Sequence, residues 1–518
     1  MPNRQHETSL EEGLSAKTKL IPLILGPVLA LCLYFILPTS YVGTTGEIVE
    51  FSNAARACTA MVLWMGIWWF TEPVPIAVTA LLPIVMYPLL GVASAGDTLK
   101  NYANGTIFLF LGGFLIAGGI ARWGLDRRIA LVMIRIVGTK PKQIILGIML
   151  ATTALSAWVS NTATAAMMLP IALALMGVVR STRADRPIDQ AERNFGICML
   201  LSVAYGASVG GVLTLIGTPP NGIFVRFVEQ QYGDVVSFFD WLKISVPAMG
   251  LLFIATYVLL VHVLYRNQPE ELPGGKQWVM DELHALGKLS RGEWTVLIIF
   301  ALAALLWTFG PVIRGLEIGG AKPFKPLSDT VIAMGAGILL FIIPVDVKNG
   351  VHALDWASAN KAVSWDVLLL FGGGLTMAAA IQKTGAADAV GAAAVALGSL
   401  PEWGLLTGVT TLSVFVSEFT SNTALAATMM PLIAAVAESL NMHPEALLIC
   451  ATMGTSCAFM MPVGTPPNAM VFGTGRLKIS DMIRAGFWLN VVGIVIITIT
   501  AYLFSPGLIE SIKPVVGG

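Results

Sequence analysis

Long apolar runs separated by short polar links dominate the chain. They fall at about 19–38, 54–70, 74–92, 105–122, 197–226, 241–265, 292–309, 327–345, 365–383, 446–474 and 483–504. A helix that crosses a bilayer needs roughly 20 mostly apolar residues. The pattern therefore predicts an all-α polytopic membrane protein with eleven transmembrane helices. Two further stretches, about 143–178 and 403–438, do not divide cleanly into spans. Each carries Ser-Asn-Thr at its middle (160–162 and 421–423), leaving apolar arms of roughly 17 residues, short for a span. Such arms suit a re-entrant hairpin that turns at mid-depth and leaves by the side it entered. The alternative is a pair of ordinary spans with a tight external turn.

The two halves of the chain repeat. SAWVSNTATAAMMLPIA (156–172) matches SEFTSNTALAATMMPLIA (417–434), and LIGTPPNGIF (215–224) matches PVGTPPNAMVF (462–472). Upstream, FLFLGGFLIAGGIARWG (108–124) matches LLLFGGGLTMAAAIQKTG, placing Gly113 over Gly374 and Gly124 over Gly385. Asn161 lies over Asn422, 261 residues on, and the Gly-Thr-Pro-Pro-Asn elements are offset by 247. Three elements in one order establish an internal repeat.

Charge then orients the repeat. Lys and Arg favour cytoplasmic loops. Arg122, Arg127, Arg128, Arg135, Lys140 and Lys142 precede the first hairpin, and Arg180, Arg183, Arg186 and Arg193 follow it. Around the second, no Lys or Arg occurs from Thr384 to Gly475. The hairpins should open to opposite sides, the first to the cytoplasm, which makes the repeats inverted. Eleven spans then put the N-terminus inside and the C-terminus outside a cytoplasmic membrane; Arg314, Lys322 and Lys325 oppose this but are fewer. No removable signal peptide is evident in the polar first 16 residues.

Composition narrows the function. The 518 residues are 56% hydrophobic and 12% charged with zero net charge, which argues against nucleic-acid binding. Cys32, Cys58, Cys198, Cys450 and Cys457 lie in apolar stretches without metal-ligand spacing and read as small core residues. His6, His262, His284, His352 and His443 lie at span ends or in loops, and no His-Glu-x-x-His or Gly-x-Ser-x-Gly occurs. An intramembrane enzyme is therefore disfavoured.

Inverted repeats with broken helices are a construction of secondary transporters. Two prolines in each Gly-Thr-Pro-Pro-Asn remove backbone donors and free carbonyls that must face protein, water or a ligand. Ser, Asn and Thr cap helix N-termini, whose positive ends suit an anion. No Lys, Arg or His occurs from Gln143 to Val179, so an anion there needs hydroxyls, amides, helix ends and a co-bound cation. Sodium held by hydroxyl, amide and carbonyl oxygens would supply that charge.

The doubled Ser-Asn-Thr tip and Gly-Thr-Pro-Pro-Asn break resemble the divalent-anion/sodium symporter family, which includes the INDY-type dicarboxylate transporters. The resemblance covers about 20–505. It implies an elevator mechanism, in which hairpins and broken helices move as a block against a dimeric scaffold. The implied division is 1–122 N-terminal region and scaffold helices, 123–141 cytoplasmic connecting helix, 142–265 first half of the transport domain and 266–290 cytoplasmic loop. It continues with 291–385 scaffold helices, 386–401 connecting helix, 402–504 second half of the transport domain and 505–518 tail. It also implies sodium ligands at Ser156, Ser160, Asn161 and Gly217, and at Ser417, Thr420, Asn422 and Gly464. Substrate carboxylates would meet Asn161, Thr162, Thr218, Ser421, Asn422, Thr423, Thr465 and Pro466. The implied activity is sodium-coupled uptake of C4-dicarboxylates by a homodimer, with no organic cofactor.

Rival readings are a channel, a sodium-independent exchanger of dicarboxylates, and the same fold carrying citrate or sulfate. Glu418 sits opposite Ala157 in the repeat and reads as a satisfied structural acid rather than a proton-coupling group. Glu72 reads as an interfacial cap, Trp64, Trp68 and Trp69 as an interface belt, and Gly206 with Gly210 as a close-packing pair.

Overall fold

A computed structural model describes residues 3–43, 47–181, 189–271, 274–394, 400–440 and 442–506, together with Leu508. Arg183 and Arg186, residues 395–399 of the second connecting segment, and the tail beyond Leu508 lie outside the described residues. Among the described residues, seven helices are long and apolar enough to cross a membrane. Leu20–Ile36, Ile76–Leu89 and Asp329–Ile342 are shorter and also apolar.

The repeat in the sequence is a repeat of helix starts. Ala95–Lys100 and Trp356–Ala362, Leu125–Val137 and Ala386–Ala394, Pro141–Ser156 and Glu402–Ser417, and Asn161–Ser181 and Asn422–Ser439 each begin 261 residues apart. Both Gly-Thr-Pro-Pro-Asn elements break a helix. Gln190–Leu213 stops before Pro219–Tyr232, and Pro444–Thr455 stops before Pro466–Gly473. Each short second helix starts on its prolines, where a missing N–H costs nothing and the fixed φ suits the first turn.

The halves interlock. Gly105–Trp123 packs on Asp329–Ile342, and Trp365–Lys383 packs on Ile76–Leu89. Glycine makes both contacts possible: a Cβ on Gly112 would stand 2.5 Å from the Ala333 carbonyl carbon, and one on Gly373 2.5 Å from the Ala80 carbonyl oxygen. Gly112 and Gly373 are themselves repeat partners. Likewise Pro219–Tyr232 packs on Asn422–Ser439, and Pro466–Gly473 on Asn161–Ser181. Gly206 and Gly210 bring Gln190–Leu213 against the hairpin arm at Met149, Thr152 and Thr153, as the small-residue spacing predicts.

Several expectations need correction. Trp69 is fully buried and donates to the Ile76 carbonyl (3.2 Å), while Trp68 is buried against Gly26 of the first helix. Trp68 and Trp69 thus pack helices together rather than forming a belt, Gly26 admitting the Trp68 ring, while Trp64 is half-buried beside them. Cys32 is exposed, unlike the four buried cysteines. The chain is not purely helical: Ser40–Val42 pairs with Ile48–Glu50, and Pro344–Asp346 with Val351–His352.

The segment 266–290 also contains a helix, Gly275–Leu286. It buries Val279 and lies on Leu125–Val137, where Arg127 pairs with Glu282. Arg128 donates to the carbonyls of Leu286 (3.0 Å) and Gly287 (2.9 Å) and to Glu293 (2.6 Å), so one guanidinium closes the end of that helix. Glu72 is a cap, as expected, but through its backbone: at φ 44° its N–H reaches the Trp68 carbonyl.

Candidate functional site

Both hairpins turn inside the protein. In the first, Pro141–Ser156 ends, the chain passes through buried Ala157 and Val159, and a new helix begins at Asn161. Ser160 caps that helix, its Oγ accepting from Ala163 N at 3.3 Å. In the second, Ser421 caps the helix that begins at Asn422 and accepts from Ala424 N at 3.5 Å. The caps are repeat partners and act as the Ser-Asn-Thr motif predicts.

The break asparagines hold the unwound segments in place. Asn221, fully buried, donates through Nδ2 to the carbonyls of Gly211 (3.1 Å) and Thr214 (2.7 Å). Trp241 and Ser245 donate to the neighbouring Val212 (2.9 Å) and Leu213 (2.7 Å) carbonyls. These are the last carbonyls of Gln190–Leu213, which have no partner within their own helix. Asn468, also fully buried, donates to Ala458 (3.1 Å) and Met461 (3.0 Å). The sequence reading missed both asparagines as structural clamps. Their place directly after a proline pair in a helix break was the available signal.

A cavity of about 1230 Å³ runs between the two hairpin tips. Its wall contains Ser160, Asn161, Thr162, Gly217 and Thr218 from the first half, and Thr420, Ser421, Asn422, Thr423, Gly464, Thr465 and Pro466 from the second. All the residues expected to meet substrate are therefore brought together on one cavity. Ser156 and Ser417 are not in its wall; both are fully buried beneath the tips. Asn161, Pro219, Asn422 and Pro466 each open a helix and each line this cavity. Four helix N-termini thus converge on one space, two more than the tips alone supply. Partial positive charge at such termini favours an anion.

Two clusters of oxygens lie beside it. In the first half, Ser156 Oγ is 2.8 Å from both Asn161 Oδ1 and the Ala207 carbonyl oxygen. A Cβ on Gly217 would lie 2.5 Å from the Gly211 oxygen and 2.9 Å from the Ser156 oxygen. In the second, Ser417 and Thr420 donate to the Val414 (2.8 Å) and Val416 (3.1 Å) carbonyls, and Glu418 adjoins Gly464. Hydroxyl, amide and carbonyl oxygens without sulfur or imidazole suit a hard cation such as sodium.

The Glu418 carboxylate, buried, accepts from the backbone amides of Phe459 (2.8 Å), Met460 (2.9 Å) and Met461 (2.9 Å) and from Asn490 Nδ2 (2.7 Å). It is a satisfied acid. The expectation that no protein cation stands near the anion needs qualification. Arg122 and Lys361, contributed by helices distant in sequence from the tips, also line the cavity, together with Glu72 and Asp366. Arg122 is paired with Asp355 at 2.8 Å.

The model of the sodium:sulfate symporter transmembrane region matches residues 20–510. The sodium-dependent dicarboxylate transporter SdcS of Staphylococcus saprophyticus is 36% identical over 489 residues, spanning 94% of this chain and 92% of that protein. SdcS of Staphylococcus aureus is also 36% identical, over 94% of this chain and 91% of its own. Among solved structures, the YdaH transporter of Alcanivorax borkumensis superposes with a TM-score of 0.58, covering 96% of this chain and 99% of that one. At 13% identity this is a likeness of fold alone.

Proposed function

The chain belongs to the sodium:sulfate symporter family, and on that footing we propose that it is a sodium-coupled carrier of C4-dicarboxylates in the cytoplasmic membrane. The convergence of four helix N-termini on one cavity flanked by two oxygen clusters carries this reading. A dicarboxylate bridges the tips, one carboxylate near Asn161, Thr162 and Thr218 and the other near Ser421, Asn422, Thr423, Thr465 and Pro466. Sodium occupies the clusters at Ser156, Ser160, Asn161 and Gly217, and at Ser417, Thr420, Asn422 and Gly464. Its charge offsets the cost of bringing two negative charges into the membrane.

Transport follows an elevator path with eleven spans and two re-entrant hairpins in inverted repeats. Residues 142–265 and 402–504 form the moving block against the scaffold helices of a homodimer, with the N-terminus inside and the C-terminus outside. Dicarboxylate is preferred over sulfate because the SdcS relatives carry that name over nearly their whole length.

Purified protein in proteoliposomes should take up labelled succinate when an inward sodium gradient is imposed, with citrate and sulfate as weaker competitors. Asn161→Ala and Asn422→Ala should each abolish that uptake while remaining monodisperse. Normal uptake by either variant rejects the site. A second reading, dicarboxylate exchange without sodium, draws on Arg122 and Lys361 in the cavity wall. It is distinguished by succinate exchange that persists when choline replaces sodium.

A further inference from the structure

We propose that Glu418 makes the two cation sites unequal, so that the second site takes its sodium first and without substrate. The inference rests on the sodium-coupled reading above and adds an order of binding to it.

The two breaks differ. The first spans five residues (214–218), the second ten (456–465). A longer unwound segment leaves more backbone N–H groups to satisfy inside the protein, and each unpaired one is costly. Three consecutive N–H groups, those of Phe459, Met460 and Met461, turn onto the carboxylate of Glu418. Oε1 accepts from Phe459 N, Met460 N and Asn490 Nδ2, and Oε2 from Met460 N at 3.0 Å and Met461 N. With N–H donors aimed at both oxygens, a proton on either would face a donor, so the arrangement holds the group as an anion. This geometry does not suit a proton carrier.

The first half has no such charge. The repeat partner of Glu418 is Ala157, whose carbonyl simply accepts from the Thr214 hydroxyl. The atoms nearest a Cβ on Gly217 are the backbone carbonyls of Gly211 and Ser156, whereas one on Gly464 would stand 3.2 Å from Glu418 Oε2 as well as from Ala458 Cβ. The residue proposed to hold the second sodium therefore sits against a full negative charge, and its counterpart against neutral dipoles. A unit charge a few ångströms away in a low-dielectric surround strengthens cation binding and opposes an anion. The second site consequently fills first, and the first site fills together with the dicarboxylate. Glu418 acts as a positioning residue and a fixed counter-charge; it stands behind Gly464 and is not itself in the cavity wall.

Equilibrium binding of sodium-22 to the purified full-length protein, with and without succinate, tests this. The expected result is one tight sodium without succinate and a further sodium when succinate is added. Glu418→Gln should raise the half-saturating concentration of the tight phase by about tenfold or more. Glu418→Asp, which keeps the charge, should stay within about threefold of the parent. An unchanged tight phase in Glu418→Gln overturns the inference. So does an Asp variant as weak as the Gln variant, since that pattern belongs to a mere strap. Should Glu418→Gln not purify as a monodisperse species, Glu418→Asp decides alone: retention of the tight phase supports the inference and a tenfold loss overturns it. A parent protein that binds no sodium-22 overturns the sodium-coupled reading, and this inference with it.

Discussion

Trp158 and Phe419 are repeat partners at the two hairpin tips, yet Trp158 packs against the stacked rings of Phe238 and Trp307 while Phe419 stands 65% exposed in the cavity. Trp158 lies 5.7 Å from Phe238 and 6.1 Å from Trp307, with interplanar angles of 14° and 15°, and meets Phe300 edge-on at 5.1 Å. Phe70, which also lines the cavity, is 37% exposed.

The stack should hold the tip of the first hairpin in the conformation seen. Trp158→Ala is expected to destabilise that conformation by about 2 kcal/mol, enough to shift a two-state equilibrium more than tenfold. A cysteine at Val463, exposed in the cavity wall, provides the readout in a Cys32→Ser background. Its rate of alkylation by a water-soluble maleimide should change about tenfold in the Trp158→Ala variant. An unchanged rate would show that the stack does not set the equilibrium.

The clamps on the two breaks are open to the same kind of measurement. Asn221→Ala and Asn468→Ala each strip partners from buried carbonyls. Each should cost about 2–4 kcal/mol and lower the thermal unfolding temperature in detergent. Loss of transport with no change in melting would instead place these amides at the substrate.

Arg128 and Glu293 form a nearly buried pair (2.6 Å) between the helices Leu125–Val137 and Arg291–Thr308. Removing one member leaves the other charge unpaired, at about 3–5 kcal/mol. Arg128→Ala should therefore melt well below the parent, and Arg128→Ala with Glu293→Gln should recover part of the loss. A double variant no better than the single one would mean that the Leu286 and Gly287 carbonyls matter more than the ion pair.

Asp126, in the helix Leu125–Val137, which is not among the candidate spans, gives a pH dependence. Burial raises its carboxyl to about 6, against the pull of the Arg127 amide, which donates to Oδ1 at 2.7 Å. A carboxyl raised in the folded state is protonated there when the unfolded chain has already released its proton. Its contribution is thus full below the ordinary carboxylate range and is lost as pH rises through about 6. The parent should lose about 2 kcal/mol across that window, while Asp126→Asn should not. Melting curves between pH 4 and pH 8, on the order of the window set by linkage, decide it; parallel slopes for both proteins would refute the shift.

What the sequence made legible was whatever depends on local pattern. Ser160 and Ser421 cap helices because their motif sits between two apolar arms, and Pro219 and Pro466 open helices because proline tolerates little else there. What it hid depends on partners distant in the chain. Nothing near Trp69 shows that its ring is buried, and nothing near Arg122 or Lys361 shows that they reach the cavity. The clasp of Glu418 on Phe459–Met461 joins segments about forty residues apart across a break whose length the hydropathy does not reveal. The helix Gly275–Leu286 leaves no long apolar run in the sequence, because it buries Val279 against Leu125–Val137 rather than facing lipid.

The packing of helices of one half on helices of the other bears on how the chain is made. Gly112 closes on Ala333, a residue that leaves the ribosome only after another 220 have been added, and Gly373 closes backward on Ala80. Gly105–Trp123 must therefore wait in the bilayer with its glycine face uncovered until the second half is synthesised. The first half expressed alone keeps that face open and is a substrate for quality control rather than a half-carrier. Supplying the second half as a separate polypeptide in the same cell should protect it from degradation, since the missing surface is a neighbour and not a covalent link.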